Sequence, residues 1–185
     1  GEVFCTGCPP WIAKGTRSEA VHPGWSKMPL MDRVVTLSGE WRHYCSLTGG
    51  GETFCWGEDD TGALGISPSR YQASPQRVVN ALPSAGVVAG TMSTCSMSKD
   101  DVLDCWGVVP GPDDYFHVHG EAPGGWQTFP GNRSLALGGG GSPIVQHACL
   151  ANADGAVACW GSNSGGQLGV TQVTASTVQL DVTIE

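Results

Sequence analysis

Three copies of one cysteine spacing constrain this chain more than any other feature of its sequence. Each copy has two cysteines separated by nine residues, with Trp-Gly directly after the second: Cys45 and Cys55, Cys95 and Cys105, and Cys149 and Cys159. In the first copy, alternating residues flank a Gly-Gly-Gly turn at 49–51, which predicts a β-hairpin with its two cysteines face to face. Opposed residues of antiparallel strands have Cα atoms about 4.5–5.5 Å apart, within disulfide range. We therefore expect three cross-strand disulfides rather than zinc ligands; buried free thiols are the alternative.

Cys5 and Cys8 fall outside these pairs. The first residues, GEVFCTG, repeat residues 51–57, GETFCWG, at a distance of 50 positions, so Cys5 aligns with Cys55. Two pairings stay open for Cys5: a local bond to Cys8, or a bond to a residue that precedes Gly1 in a longer chain. A redox centre at Cys-Thr-Gly-Cys is a further alternative, but no strand-then-helix pattern follows it.

Charge and cysteine usage predict the compartment. The chain has nine Lys and Arg against 17 Asp and Glu, a formal charge of −8, and no basic cluster, so we expect no nucleic-acid partner. Asn132 begins a glycosylation sequon, and disulfides persist in oxidising compartments. Because no run of 18 apolar residues exists, we expect no membrane insertion. These features favour an extracellular or cell-surface protein that passes through the secretory pathway.

The cysteine unit recurs with a period near 50 residues, and a short apolar run precedes each hairpin. About four short strands per unit at this period are typical of β-propeller blades. We expect one all-β partial propeller domain over 1–185. Its predicted parts are the end of a first repeat plus an insertion at 1–33, repeats at 34–86, 87–133 and 134–177, and the start of a next repeat at 178–185.

The repeat pattern resembles the regulator-of-chromosome-condensation repeat. The third full unit matches it best, with His147, then Trp160-Gly161, then Gly-Gln-Leu-Gly at 166–169; the second full unit departs from it with Ser93 in place of the histidine. The resemblance implies a ring of seven four-stranded antiparallel blades, of which this chain supplies about 3.5. Further repeats of a longer chain, or another copy, would complete the ring. The paired cysteines resemble a secreted variant with one disulfide in each repeat.

Long loops between the repeats carry the aromatic residues that are candidates for binding. These candidates are Trp11, Trp25, Tyr115, Phe116, Trp126 and Phe129. Loops of this length are usually functional or disordered, and aromatic residues anchor many protein interfaces. The alternative is that they fold back over the sheet edges. Trp41 and the acidic run at 58–60 are particular to the first full repeat.

Chemistry-bearing motifs are scarce. His117 and His119 alternate on an extended segment and could share a face, which makes them weak metal candidates beside the alternative of solvated loop residues. No nucleophile elbow or phosphate loop is present, so we predict neither an enzyme nor a cofactor.

The leading hypothesis is an extracellular interaction module that makes protein–protein contacts in a cell-surface or filament assembly. The alternative is a secreted inhibitor or a propeller that binds a carbohydrate or another ligand. The resemblance also implies guanine-nucleotide exchange on the GTPase Ran, the founding activity of the family. Disulfides and net acidity argue against that activity.

Overall fold

A computed structural model describes residues 1–7, 22–28, 33–66, 70–79, 81–109, 117–119, 127–128, 132–139, 146–170 and 175–182. All regular secondary structure in these ranges is β-strand. Strands β1 (Phe4–Gly7) and β2 (His22–Lys27) form an antiparallel N-terminal strand pair. Three antiparallel sheets follow it in chain order.

Each of the three sheets is a meander in which consecutive strands are neighbours. The first sheet contains β3 (Val34–Glu40), β4 (His43–Thr48), β5 (Thr53–Glu58) and β6 (Tyr71–Arg77). The second contains β7 (Ser84–Ala89), β8 (Ser93–Ser98), β9 (Val102–Val109) and β10 (His117–His119), with β11 (Gln127–Thr128) also paired to β9. The third contains β12 (Asn132–Gly138), β13 (His147–Asn152), β14 (Val157–Ser162) and β15 (Ala175–Val182). The predicted all-β organisation, with about three and a half four-stranded antiparallel units, is confirmed.

The prediction that 178–185 begins a next repeat is wrong. Strand β15 pairs with β14 and is the fourth strand of the third sheet. The outer edge of β14 presents backbone N–H and C=O groups that need partners, and the valine-rich segment provides them. The predicted repeat starts at 87 and 134 are also late, because β7 and β12 begin with a polar residue before a bulge, which breaks the alternation.

The two long loops contain strands that the sequence analysis did not predict. Strand β2 lies inside the predicted insertion at 1–33 and covers the outer edge of β1. Strands β10 and β11 lie inside the aromatic segment before 132 and pair with opposite ends of β9, so together they form an interrupted fourth strand. Backbone groups at the edges of β1 and β9 need hydrogen-bond partners, and this accounts for β2 as well as for β10 and β11.

The three predicted disulfides are confirmed, each between directly opposed residues of adjacent strands. Their Cα atoms are 4.1 Å apart for Cys45–Cys55, 4.0 Å for Cys95–Cys105 and 4.1 Å for Cys149–Cys159. Cys5 forms no disulfide within the described residues, and burial raises the pKa of its thiol. Cys8 lies outside these residues, so the pairing of Cys5 stays a prediction.

The glycine after the tryptophan lets two neighbouring strands approach closely in the first and second sheets. Gly57 has a φ of 112°, and a Cβ atom there would lie 2.3 Å from the carbonyl oxygen of Arg42. That oxygen accepts a 2.9 Å hydrogen bond from the backbone N–H of Glu58. In the second sheet the N–H of Val108 donates to Met92 O in the same way, at 2.9 Å. Only glycine allows this close approach of the two chains.

The second and third sheets each pack their tryptophan against the disulfide of the preceding sheet. Trp106 of the second sheet is fully buried in a cluster that contains Cys45 and Cys55 of the first. Trp160 packs against the cluster of the Cys95–Cys105 bridge, and Trp56 lies in a cluster with Val3 of the N-terminal strand pair. The core is therefore a series of similar interfaces between neighbouring units.

The turn after β14 depends on the amide of Asn163. Its Oδ1 accepts a 2.8 Å hydrogen bond from the N–H of Leu168, and its Nδ2 donates to Val170 O at 2.8 Å. In the first sheet, Asp59 Oδ1 accepts the equivalent bond from the N–H of Leu64 at 2.9 Å. The acidic run at 58–60 thus contributes one turn acceptor in the place of the asparagine.

Replacing Asn163 by alanine should lower the free energy of unfolding by about 2 kcal/mol, because two buried bonds are lost. Asn163→Asp is the matched control and should cost about half as much, since the acceptor remains and only the donor is lost. Urea unfolding of both variants measures the difference. Equal losses would mean that the turn does not depend on the acceptor.

Candidate protein interface

A buried histidine joins the first two sheets. His43 Nε2 lies 2.8 Å from Thr94 Oγ1, and the Thr94 hydroxyl donates to Ala63 O at 2.8 Å. Because that hydroxyl has one hydrogen, Nε2 must donate to it, which defines the tautomer of the ring. Trp106 Nε1 donates to the same Ala63 oxygen at 2.8 Å. His43 therefore has a structural role, and this residue belongs to the scaffold.

Burial lowers the pKa of His43 to about 4, although a hydrogen bond to the backbone of Ser93 acts in the opposite direction. The unfolded chain takes up a proton near pH 6.5 and the folded chain does not, so stability falls as the pH decreases from about 6.5 to about 4. From pH 7 to pH 5 this group alone should remove about 2 kcal/mol. In the His43→Gln variant, the change in the free energy of unfolding between pH 7 and pH 5, measured by urea unfolding, should be smaller by this amount. An unchanged slope would contradict the assignment.

An exposed cluster lies at the turn between β3 and β4, and we call it the Trp41 corner. Its members are Trp41, Arg42, Glu58 and Tyr71. Trp41 is 60% exposed with a φ of 54°, a backbone conformation that is rare for a bulky residue. The Arg42 guanidinium lies 5.5 Å from the centre of the Trp41 ring, and its Nη1 donates to Glu58 Oε2 at 2.6 Å. Tyr71 pairs with Glu58 across the sheet.

Glu58 shifts the pKa values of both its neighbours in this corner. The hydrogen bond and the charge of Glu58 raise the pKa of Arg42, so the guanidinium stays charged. Burial, and then the charge of Glu58, raise the pKa of the Tyr71 phenol. Contacts with Glu58 and with the Trp41 ring orient the Arg42 side chain, although an exposed ion pair adds little to stability.

The corner is specific to the first sheet. Fifty positions later, Thr91, Met92 and Val108 occupy the places of Trp41, Arg42 and Glu58, and Thr91 is buried with its hydroxyl donating to Glu40. Sequence reasoning singled out Trp41 and the acidic run but missed Arg42 and Tyr71. The signal that could have identified Arg42 is that it differs from the equivalent residue of the second sheet, Met92.

No family model matches this chain. RUG3, an RCC1 domain-containing mitochondrial protein of Arabidopsis thaliana, is 26% identical over 163 residues, which cover 81% of this chain and 35% of RUG3. The human E3 ubiquitin-protein ligase HERC2 is 29% identical over 187 residues, covering 91% of this chain and 4% of HERC2. The chain thus spans about a third or less of these relatives.

Solved structures share its architecture. Human WBSCR16 superposes with a TM-score of 0.79 at 16% identity, covering 100% of this chain and 49% of WBSCR16. Yeast RCC1 (Prp20), solved bound to Kap60, superposes with a TM-score of 0.74 at 20% identity, covering 100% of this chain and 45% of Prp20. This chain is built of RCC1-type β-propeller repeats. Each sheet is one blade, and the fold supports a protein-interaction module.

Of the aromatic residues that the sequence predicts for binding, only Trp25 lies in the described part of the RCC1-type blades. Trp25 lies on β2 and is 74% exposed, as a contact residue requires. The other predicted aromatics lie outside the described residues: Trp11, Tyr115, Phe116, Trp126 and Phe129. The backbone of Asn132 begins β12, opposite Asn152, and the sequon stays a prediction.

The two histidines that the sequence suggests as weak metal candidates lie on β10 of the RCC1-type repeats. The backbones of His117 and His119 pair with β9, and their side chains are not described. No group of three or more His, Cys, Asp or Glu in the described ranges is placed to hold a metal ion. The same ranges contain no helix with the length and hydrophobicity needed to cross a bilayer.

A groove of about 460 Å³ opens where the first strands of the three RCC1-type blades approach one another. Thr36 of the first blade and Ser134 of the third border it. Strands β7 and β8 of the second blade supply most of its wall, including Val87 and Met97, and Lys99 lies in the turn after β8. Hydroxyls, aliphatic groups, the cation of Lys99 and the carboxylate of Asp101 thus line a space of the size that small ligands occupy.

Proposed function

We propose that this chain is an extracellular, disulfide-stapled propeller segment whose task is protein–protein contact in a cell-surface or filament assembly. The Trp41 corner carries this proposal. Tryptophan, tyrosine and arginine are the residues most enriched at binding hot spots, and here they form one exposed cluster held by Glu58. Three disulfides, the net charge of −8 and the Asn132 sequon support the location outside the cell.

Photo-crosslinking from position 60 tests the contact. Asp60 is exposed and close enough to Arg42 to affect its pKa, so a crosslinker in its place would report on the corner. With the protein applied to intact cells, we expect one surface or filament protein to be labelled and Trp41→Ala to remove that label. Trp25→Ala, which changes another exposed tryptophan, is the matched control and should retain it. Labelling that is the same in both variants, with equal thermal midpoints, would overturn the proposal.

Peptide mapping of the protein from its native source tests the location. We expect a secreted fraction in which all three cysteine pairs are oxidised and Asn132 carries a glycan. Recovery of the protein from the cytosol with reduced pairs would contradict the extracellular part of the proposal. It would leave the crosslinking result unaffected.

A second candidate function is that of a secreted inhibitor or of a propeller that binds a carbohydrate or another ligand, and the groove beside Thr36 and Ser134 favours it. Ser134 is exposed, so Ser134→Trp should fill the groove without disturbing the core. Glycan-array binding that is lost in this variant and kept in Trp41→Ala would favour the ligand-binding function.

Exchange activity is the least favoured function. Prp20, which shares the fold, has been solved in work on its binding to Gsp1p and histones. Three intrachain disulfides do not suit a reducing compartment where such partners would be met. Accelerated release of a fluorescent guanine nucleotide from a Ran-type GTPase would overturn this ranking and the proposal that the chain is not an enzyme.

A further inference from the structure

The groove beside β7 exists because the second blade departs from the first at two paired positions. Thr36 stands opposite Leu47 in the first blade, and Gly86 stands opposite Met97 in the second. Leu47 is 2% exposed, whereas Met97 is only half-buried and lines the groove. A Cβ atom at Gly86 would meet nothing within 4 Å. The side chain that glycine lacks thus leaves an open space beside Met97.

The turn between β8 and β9 brings two opposite charges to this groove, those of Lys99 and Asp101. The equivalent turns are Gly-Gly-Gly at 49–51 and Ala-Asp-Gly at 153–155, so neither charge belongs to the repeat. Asp101 has a φ of 59°, and the residues in its place in the other two turns are glycines with positive φ. Glycine adopts this conformation without strain, and an aspartate does not. The second blade therefore keeps a carboxylate at the groove where the backbone favours glycine.

Aliphatic side chains from two blades form another part of the lining. Val88 of β7 and Met97 of β8 share one face of the second sheet, as the register of the two strands shows. Leu135 of β12 packs against the disulfide cluster on that face. All three side chains line the groove and are half-buried. An apolar group placed between them would lose its contact with water, which favours binding.

We propose that this groove binds a free α-amino acid with an aliphatic side chain. The ammonium group of the ligand pairs with Asp101 and its carboxylate pairs with Lys99. These two residues lie two positions apart in one turn, just as the two charges of the ligand lie on one carbon atom. The side chain of the ligand contacts Val88, Met97 and Leu135. This inference rests on the second candidate function, ligand binding at the groove, and specifies the class of ligand.

A ligand with a single charge suits the groove less well. The carboxylate of a fatty acid would lie close to Asp101, and the ammonium group of an alkyl amine would lie close to Lys99, so each would meet a like charge. A zwitterion satisfies both side chains at once. Because a carboxylate accepts several hydrogen bonds, Asp101 can bind the ammonium group in addition to its partner within the protein.

Three small molecules test the charge requirement on the full chain. L-leucine has both charges, 4-methylpentanoate lacks the ammonium group, and 3-methylbutan-1-amine lacks the carboxylate. They share one aliphatic side chain, so a difference in affinity reports on the charged groups. In NMR titrations we expect leucine to bind saturably and each analogue to bind at least about tenfold more weakly, because each loses one charge-assisted hydrogen bond.

Variants of the charged turn connect these differences to single residues. Asp101→Gly introduces the glycine of the other two turns, so the variant should fold with a thermal midpoint no lower than that of the native chain. It should bind leucine no better than 4-methylpentanoate. Lys99→Gln should bind leucine no better than 3-methylbutan-1-amine. Asp100→Gly is the matched control and should keep both preferences, since Asp100 is exposed and is not among the described residues that line the groove.

Gly86→Thr tests the place of binding. The variant introduces the residue that the first blade has at Thr36, and the open space around Gly86 accommodates it. Because the added side chain occupies part of the groove, leucine should bind more weakly while the thermal midpoint stays the same. Ser134→Trp should have the same effect on leucine from the opposite border. Unchanged leucine affinity in both variants would overturn the proposal, because the ligand would then lie elsewhere.

Two other results would overturn the proposal. One is the absence of saturable leucine binding to the folded chain. The other is a preference for leucine over both analogues that Asp101→Gly and Lys99→Gln retain. If glycans bind and Ser134→Trp removes their binding, while leucine does not bind, the amino acid is excluded and the ligand-binding function stands. The crosslinking test of the Trp41 corner is independent of all these results.

Discussion

Replacing Gly57 by alanine should lower the free energy of unfolding by at least about 3 kcal/mol. The added Cβ atom would lie 2.3 Å from Arg42 O and 2.8 Å from the Cα atom of His43, and both neighbours are backbone atoms that cannot rotate away. The φ of 112° adds strain for any residue with a side chain. The ends of β4 and β5 would be pushed apart, and the hydrogen bond from Glu58 N to Arg42 O would be lost.

Gly155→Ala is the matched control for this prediction. Gly155 also has a positive φ, 86°, but a Cβ atom there would meet nothing within 4 Å. We expect a cost of about 1 kcal/mol from the backbone conformation alone. Urea unfolding of both variants checks the difference. Similar losses would show that conformation, and not the contact with Arg42, decides the requirement for glycine.

Replacing Cys45 and Cys55 together by alanine should lower the free energy of unfolding by about 3 kcal/mol through chain entropy, with a further loss from packing. The bridge joins positions ten apart in sequence, and both cysteines are fully buried in the cluster that holds Trp106. Cys5→Ala is the matched control, since Cys5 forms no disulfide within the described residues, and it should cost less than about 1 kcal/mol. Denaturant unfolding and near-ultraviolet circular dichroism would report both effects.

A small loss in the double variant would show that packing alone holds the first hairpin. Removal of the Cys149–Cys159 bridge gives a useful comparison, because Cys149 is only half-buried. Attack on a disulfide requires access to its sulfur atoms, so this bridge should be reduced first under native conditions. Partial reduction followed by alkylation and mass spectrometry would establish the order.

The hairpins and their disulfides could be predicted from the sequence because local rules decide them. Cys45 and Cys55 flank a glycine turn symmetrically, and the same spacing recurs twice, so pairing and register follow from the turn. The role of β15 could not be predicted, since a valine-rich strand suits either the first or the last place in a sheet. That choice depends on which sheet edge lacks a partner, which is a property of the assembled fold.

The contacts within the Trp41 corner could not be predicted from the sequence either. Arg42 and Glu58 are 16 positions apart, and they meet because the register of β4 and β5 pairs His43 with Gly57, which places the next residue on each side opposite the other. The sequence singles out Trp41, but it does not show that Arg42 lies above the ring of this tryptophan. The predicted loop aromatics other than Trp25 lie outside the described residues and remain predictions.

The packing of Trp106 and Trp160 on the disulfide of the preceding sheet makes stability depend on contacts between neighbouring units. Trp106 and Trp160 each stabilise one boundary, and no side chain of the described core clusters is shared by more than two adjacent units. Where each unit contacts only its neighbours, the free energy of unfolding is a sum of unit terms and boundary terms, so damage at one boundary leaves the others intact.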